Sequence, residues 1–392
     1  MTTAPVIQGW CPGALRPMAS GDGLVVRVRP VGGRLTPDQA AGIAALATAH
    51  GNGLIDLSAR ANVQLRGVTA ESHAPLIEGL RALGLIDADA AVEARRNIVV
   101  TPFWAEGDGT QDMARALIAA LAAPDAPDLP GKFGYALDTG PRPVLRDTAA
   151  DIRIERCGGR FVVRAEGCDL GREVAAGDVA AAVIDLGRWF VGAGGVSGGR
   201  GRMAALIRRG ILPPEDWRRV RAPEGAMPAP RPGLVAEGAL VGFEFGQMQA
   251  ETLAALGATG ALRITPWRMV LIEGARALPG LPGLITDPAD PLLRVIACTG
   301  APGCVQAHAP TRPLARALAP HLPQGAILHV AGCAKGCALP GAAPLTLTAT
   351  PGGFHLIRDG AAADPPARAG LSPEILIADP GLLTAPQTEK TT

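Results

Sequence analysis

The chain has 392 residues with 37 basic and 36 acidic side chains, and a formal net charge of +1 gives no support to a polyanion-binding surface. Hydrophobic residues at 48% and charged residues at 19% exclude a largely disordered chain and leave ample material for a core. Aromatics at 3% argue against base stacking on nucleic acid, and the 51 glycines and 36 prolines follow no period, which excludes collagen and indicates a loop-rich fold.

The N-terminal MTTAPVIQGWCPG has no basic stretch followed by an apolar one, so no signal peptide is expected. No run of about 18 apolar residues occurs, so neither a membrane span nor a membrane partner is expected, and the reading is cytoplasmic. LVVRVRP (24–30) alternates as a strand. TPDQAAGIAALATAHG (36–51) reads as a helix with Thr36 as N-cap, Pro37 in the first turn and Gly51 as its stop. GLIDLSA and NVQLRGV follow as strands and ESHAPLIEGLRALGL as a second helix, a β-α-β-β-α order of ferredoxin-like type. A larger αβ segment comes next: RRNIVVTPFW, a helix near 111–122, and LPGKFGYALD.

A weaker copy of this order begins at ALVGFEF (239–245), with MQAETLAALGA as helix and ALRITPWRMVLIEG as strand, turn and strand. At constant offset Leu57, Ser58, Ala59, Val63, Leu65 and Gly67 face Ile264, Thr265, Pro266, Val270, Ile272 and Gly274. LLRVIACTGAPGC, a helix near 312–322 and AILHVAGCAKGCAL then repeat the αβ segment. The expected fold is α+β in duplicated halves, each a ferredoxin-like unit followed by a larger αβ unit. The expected boundaries are 1–85 and 86–220, a linker at 221–233, then 234–285 and 286–376, and a frayed tail at 377–392. The glycine run VGAGGVSGGRGR (191–202) follows a helix and lacks the dinucleotide register, so it reads as a flexible loop.

Seven cysteines in a large chain without a secretion signal argue against a disulfide framework. Five residues separate Cys298 from Cys304, three separate Cys333 from Cys337, and twenty-eight separate the pairs. Each pair follows an apolar strand, and parallel pairing of RVIA with ILHVAG brings both loops together. Four convergent thiolates in glycine-rich loops favour a [4Fe–4S] cluster. Zinc and unligated thiols are the alternatives, and the first pair is spaced too widely for structural zinc. Cys157 and Cys168 read as ordinary thiols, and Cys11 is ambiguous.

The C-x5-C…C-x3-C pattern, the duplicated order, the segment from DGLVVRV to QLRGV, RRNIVV and LPGKF together resemble the siroheme-dependent sulfite and nitrite reductase superfamily over nearly the whole chain. The resemblance implies a sulfite-reductase-like fold in which Cys298, Cys304, Cys333 and Cys337 hold the cluster and Cys337 bridges to the siroheme iron. It implies that Arg60, Arg96 and Lys132 face the substrate and the carboxylates of the macrocycle. The second lysine of the family's Lys-Phe-Lys motif is Gly134 here, which removes a cation that a small oxyanion needs.

GWCPGALRPMASGDGLVVRVRP and ALRITPWRMVLIEG are most similar to the subfamily of precorrin-3B synthases of aerobic cobalamin biosynthesis. That likeness implies an O2-dependent monooxygenase that hydroxylates precorrin-3A at C20 and closes a γ-lactone. A small siroheme-dependent sulfite or nitrite reductase is the alternative. An electron carrier or tetrapyrrole-binding protein without turnover is a third reading, but a carrier does not need two duplicated halves with a cationic cleft. Lysine occurs only at Lys132, Lys335 and Lys390, so carboxylate binding falls largely to arginine, with Arg27, Arg66 and Arg268 as further candidates. Oxygen insertion needs one-electron steps and usually a metal that binds O2, and an all-thiolate cluster has no obvious open position. A second iron centre, siroheme or mononuclear non-haem iron, and an external electron donor are therefore expected. His308 and His329 flank the cysteine loops and are candidates to approach the cluster.

Overall fold

The computed structural model describes residues 12–384, so Cys11 and residues 385–392 lie outside the described residues. Two compact units make up the chain, one of residues 12–18 with 24–286 and one of residues 19–23 with 287–384.

In the first of these, helix Pro37–His50 is set by local chemistry. The Thr36 side chain accepts the Gln39 N–H at 3.2 Å, and Gln39 Oε1 accepts the Thr36 N–H at 3.0 Å, a reciprocal cap closed behind by Gly51. This helix packs on its counterpart Ala250–Gly257, where a Cβ on Gly257 would lie 2.6 Å from that of Ala40.

The two ferredoxin-like copies are interlocked rather than separate. The first sheet runs Gly23–Val28, Val63–Val68 and Leu54–Leu57, all antiparallel, and its edge is filled by Gln247–Gln249 of the second copy. The second runs Gly233–Val235, Gly238–Phe243, Met269–Glu273 and Leu262–Ile264, and its edge is filled by Arg34–Leu35 of the first copy. Each exchanged strand follows a 3-10 turn with a left-handed pair, Gly32 and Gly33 (φ 60° and 74°) or Phe245 and Gly246 (φ 54° and 71°). That pair redirects the chain from its own sheet to its neighbour's. The duplication is also written in the backbone. Ala61 and Arg268 (φ 52° and 60°), and Gly67 and Gly274 (φ 69° and 68°), repeat at the offset of the matched sequence positions. Val28, Ile55, Val63 and Leu65 of one copy share a core with Val241, Leu262, Val270 and Ile272 of the other.

The third sheet of this unit has Ile98–Val100, Tyr135–Asp138 and Ile152–Cys157 parallel, then Arg160–Ala165 and Leu170–Val174 antiparallel, with Val220–Arg221 at the edge. The unit of residues 287–384 repeats this order. Val295–Ala297, Leu328–Ala331 and Ala343–Thr350 are parallel, and Gly353–Gly360 and Arg368–Leu371 are antiparallel. The expected fraying after residue 376 is not found through residue 384. Helix Pro373–Ala378 and a further 3-10 turn bury Leu376 and Leu383. Among the described residues no helix is long and apolar enough to cross a membrane.

Candidate functional site

The unit of residues 287–384 carries the four predicted cysteines. Strands Val295–Ala297 and Leu328–Ala331 are parallel neighbours, with Val295 opposite Leu328 and Ala297 opposite Val330. Both release their cysteine loops from the same end. The Gly332 N–H donates to Cys298 Sγ at 3.1 Å. A Cβ on Gly332 would stand 2.7 Å from Ala307 Cβ, so only glycine permits this approach. The Cys304 N–H donates to the Gly300 carbonyl at 2.8 Å, and Thr311 Oγ1 donates to the Cys298 carbonyl at 2.7 Å, which fixes the first loop.

Burial pushes the Cys333 thiol up, and Cys304 and Cys298 push it the same way, while the Lys335 N–H opposes. Burial also raises Cys337, with Cys333, Cys298 and Cys304 adding to it and the Lys335 ammonium opposing. The Gly332 N–H on Cys298 Sγ ties the first cysteine loop to the start of the second, so both pairs lie at one end of the paired strands. Among the described residues no three Cys, His, Asp or Glu side chains close on a single ion. Two cysteine pairs at C-x5-C and C-x3-C spacing, released from one end of paired strands with an N–H aimed at sulfur, fit the donor set of a polynuclear cluster. His329 is fully buried, and its Cε1 lies 3.7 Å from where a Gly336 Cβ would be, beneath the second loop. His308 is exposed and ties the first loop down through its N–H to the Gly332 carbonyl at 2.8 Å.

The other unit carries the predicted cations. Arg60 stands on a turn in which the Ser58 N–H donates to the Asn62 carbonyl at 3.0 Å. Ser58 Oγ accepts the Arg60 and Asn62 N–H groups at 3.3 and 3.2 Å. The second copy builds the same turn from Thr265 to Met269 and presents Trp267 in the corresponding place. Arg60 Nη2 donates to the Lys132 carbonyl at 3.0 Å, so these two predicted residues are brought together. Asn97 Nδ2 holds the lysine loop by donating to the carbonyls of Ala94, Gly131 and Phe133 at 2.8, 3.2 and 3.0 Å. The Lys132 ammonium is half-buried and has no carboxylate partner among the described residues. A Cβ on Gly134 would lie 3.3 Å from the Asn97 carbonyl and 3.4 Å from Arg60 Nη1. The Arg60 guanidinium thus occupies space beside the position where the reductase motif has its second lysine.

Arg96 is placed differently from the expectation. It is buried, and its Nε and Nη2 bond the two Asp87 oxygens at 2.7 and 2.9 Å, while Nη1 donates to the Arg29 carbonyl at 3.0 Å. A substrate carboxylate would have to displace Asp87, so Arg96 is set here as a positioning residue. The Arg29 guanidinium in turn meets Glu93 at 2.9 Å, and Glu93 accepts the N–H groups of Ala14 and Leu15 at 2.6 and 3.1 Å. Arg27 bonds Gln64 Oε1 at 3.0 and 2.7 Å, buried Arg66 faces Asp56 at 3.7 Å, and Arg268 packs over Gly246.

Asp151, which no sequence motif flagged, organises the back of the site. It is fully buried, and its Oδ2 accepts the Gly134 N–H at 3.0 Å. Its Oδ1 accepts the Met203 N–H at 2.8 Å and Arg202 Nε at 2.9 Å. Burial pushes its carboxyl up and Arg202 pulls it back down. Beside it, burial and the Asp151 charge raise the hydroxyl of Tyr135, the only tyrosine, while Arg95 opposes them. A cavity of about 430 Å³ between Arg34, Trp104, Asp108, Arg263 and Glu273 contains none of the predicted residues.

Residues 16–83 match the family of the nitrite/sulfite reductase ferredoxin-like half domain. The solved structure of the NirA protein of Mycobacterium tuberculosis superposes with a TM-score of 0.64 at 19% identity, covering 91% of this chain and 79% of that one, and so supports the fold. A precorrin-3B synthase of Sinorhizobium sp is 32% identical over 92% of this chain and 85% of its own length. Identity at that level across both duplicated halves means that this chain belongs to the precorrin-3B synthase family.

Proposed function

We propose that this chain is the monooxygenase that converts precorrin-3A to precorrin-3B. One oxygen atom of O2 enters at C20 and the ring-A acetate closes as a γ-lactone. The other oxygen leaves as water, with two electrons and two protons from an external donor. The observation that carries this reading is the pairing of Arg60 with the Lys132 loop over Gly134. Cationic groups are retained there, but the lysine suited to a small oxyanion is missing. Guanidinium and ammonium groups without that lysine suit the peripheral carboxylates of a large macrocycle.

Cys298, Cys304, Cys333 and Cys337 are assigned as ligands of a [4Fe–4S] cluster, which supplies electrons one at a time when bound. A second iron centre, siroheme or mononuclear iron, belongs to the same proposal. In this reading Arg60 and Lys132 orient the substrate through its carboxylates, and Asn97 and Asp151 keep the loops that carry them in register. Arg96 fixes the frame behind them.

The test is mass spectrometry of precorrin-3A incubated with cluster-loaded protein and reductant, with O2 admitted or withheld. One added oxygen atom only in the presence of O2 is the expected result. An unchanged mass while sulfite or nitrite is consumed would overturn the proposal in favour of a reductase.

A further inference from the structure

Behind Gly134 lies a cavity of about 350 Å³ lined by Arg146, Arg153, Arg202 and Arg208 together with Asp147, Asp151 and Glu166. Two of these arginines belong to the frame. Arg153 is buried, bonds Glu166, and donates to the carbonyls of Leu145 and Thr148 at 2.8 Å each. Arg202 is bound to Asp151 at 2.9 Å. The other two are differently placed. Arg146 approaches Glu155 only at 3.5 Å, and its Nε and Nη2 are buried without a hydrogen-bond partner. Arg208 ends helix Met203–Arg208, is exposed, and has no carboxylate partner among the described residues.

The cavity shares a wall with the Arg60 turn. The Ala149 carbonyl lies 3.6 Å from where a Gly134 Cβ would be, on the same glycine that Arg60 Nη1 approaches to 3.4 Å. Ala149, Ala150 and Asp151 line the cavity, and Asp151 Oδ2 holds the Gly134 N–H.

Resting on the monooxygenase reading, we propose that this cavity is a carboxylate subsite. It takes one peripheral acetate or propionate of the tetrapyrrole, with Arg146 and Arg208 as the binding groups. The Arg146 side chain is one-third exposed and Arg208 is open, so both present guanidinium edges to the cavity, and a carboxylate is the acceptor whose geometry matches that fork. The subsite also gives Gly134 a meaning. The cation missing beside Arg60 is replaced by cations further out, where the rim of a macrocycle reaches and a small oxyanion does not gain from them.

The experiment measures quenching of tryptophan fluorescence in the full chain by uroporphyrin, a stable octacarboxylate, and by deuteroporphyrin, a dicarboxylate. R146Q and R208Q are each expected to weaken uroporphyrin binding about tenfold. R146K should recover part of that loss, and deuteroporphyrin binding should change little. With precorrin-3A the same variants should raise KM and leave kcat nearly unchanged. Arg208 is exposed, so R208Q keeps the test valid even if R146Q folds poorly. Uroporphyrin affinity unchanged in R208Q and in folded R146Q, or an equal loss for both porphyrins, overturns the subsite even if precorrin-3A is still oxidised. Loss of uroporphyrin affinity in a protein that never oxidises precorrin-3A upholds the subsite and removes the reaction assigned above.

Discussion

Replacing Asp87 by asparagine tests whether Arg96 belongs to the frame or to the substrate. The pair is almost dry, with side-chain exposures of 6% for Arg96 and 11% for Asp87. Three hydrogen bonds of 2.7, 2.9 and 3.0 Å use the guanidinium, two of them to the Asp87 carboxylate. D87N leaves the guanidinium buried without its counter-charge, and breaking such a pair on one side costs about 3–5 kcal/mol. For a unit of this size a loss of about 3 kcal/mol lowers the unfolding midpoint by roughly 6–12 °C. R96Q should cost a similar amount, and D87N/R96Q should cost less than the sum by about 1–3 kcal/mol. Tryptophan fluorescence in urea is the assay, because Trp104, Trp189, Trp217 and Trp267 all lie in the unit that holds this pair and residues 287–384 contain none. Unfolding of D87N within about 0.5 kcal/mol of wild type would refute the frame role. So would an R96Q protein of normal stability with a sharply raised KM for precorrin-3A.

Arg60→Gln should raise KM for precorrin-3A about tenfold with little change in the urea midpoint, since the guanidinium is half-buried and its bond to the Lys132 carbonyl is replaceable. Asp138 gives a pH dependence. Burial lifts its carboxyl to about 6, with Glu155 adding to the shift and the Leu145 and Val144 N–H groups opposing it. A folded pKa raised above the unfolded one contributes stability at low pH that is lost as pH climbs through 6. D138N should therefore gain on wild type between pH 4 and 6 and be more stable by about 3 kcal/mol above that, and a difference independent of pH would refute this account. Gly134→Lys places a Cβ 3.3 Å from the Asn97 carbonyl and 3.4 Å from Arg60 Nη1, and should destabilise by about 1 kcal/mol when followed by thermal unfolding. Serine at Cys298, Cys304, Cys333 or Cys337 should sharply lower bound iron and sulfide after anaerobic reconstitution, and an unchanged iron content would remove that residue from the ligand set.

Local chemistry made part of this molecule legible from its residues. Thr36, Pro37 and Gly51 announce a helix because the groups that start and stop it lie within the same short segment. The cysteine loops were legible because spacing and strand register together dictate where a thiol emerges. The exchanged strands were not legible. Arg34–Leu35 is too short to show a period, and its partner Leu262–Arg263 lies in the other copy. The motif that marked Arg96 gave its residue type but not its partner, since Asp87 approaches through tertiary packing. Asp151 carried no signal at all, because its three donors come from Gly134, Arg202 and Met203, far from it in sequence.

The reciprocal loan of edge strands has a consequence for how the chain is born. Leu54–Leu57 leaves the ribosome long before Gln247–Gln249, the strand that covers its edge. At about 5–20 residues per second, the intervening stretch of roughly 200 residues takes ~10–40 s to synthesise. Throughout that interval the nascent first sheet shows an open edge, the kind of surface that recruits stray strands. A chain terminated between residues 222 and 232 would carry this edge bare, with Arg34–Leu35 lacking its sheet. Duplication has therefore not produced two detachable modules, and neither copy can be excised, swapped or expressed alone without exposing the strand edge its twin was covering.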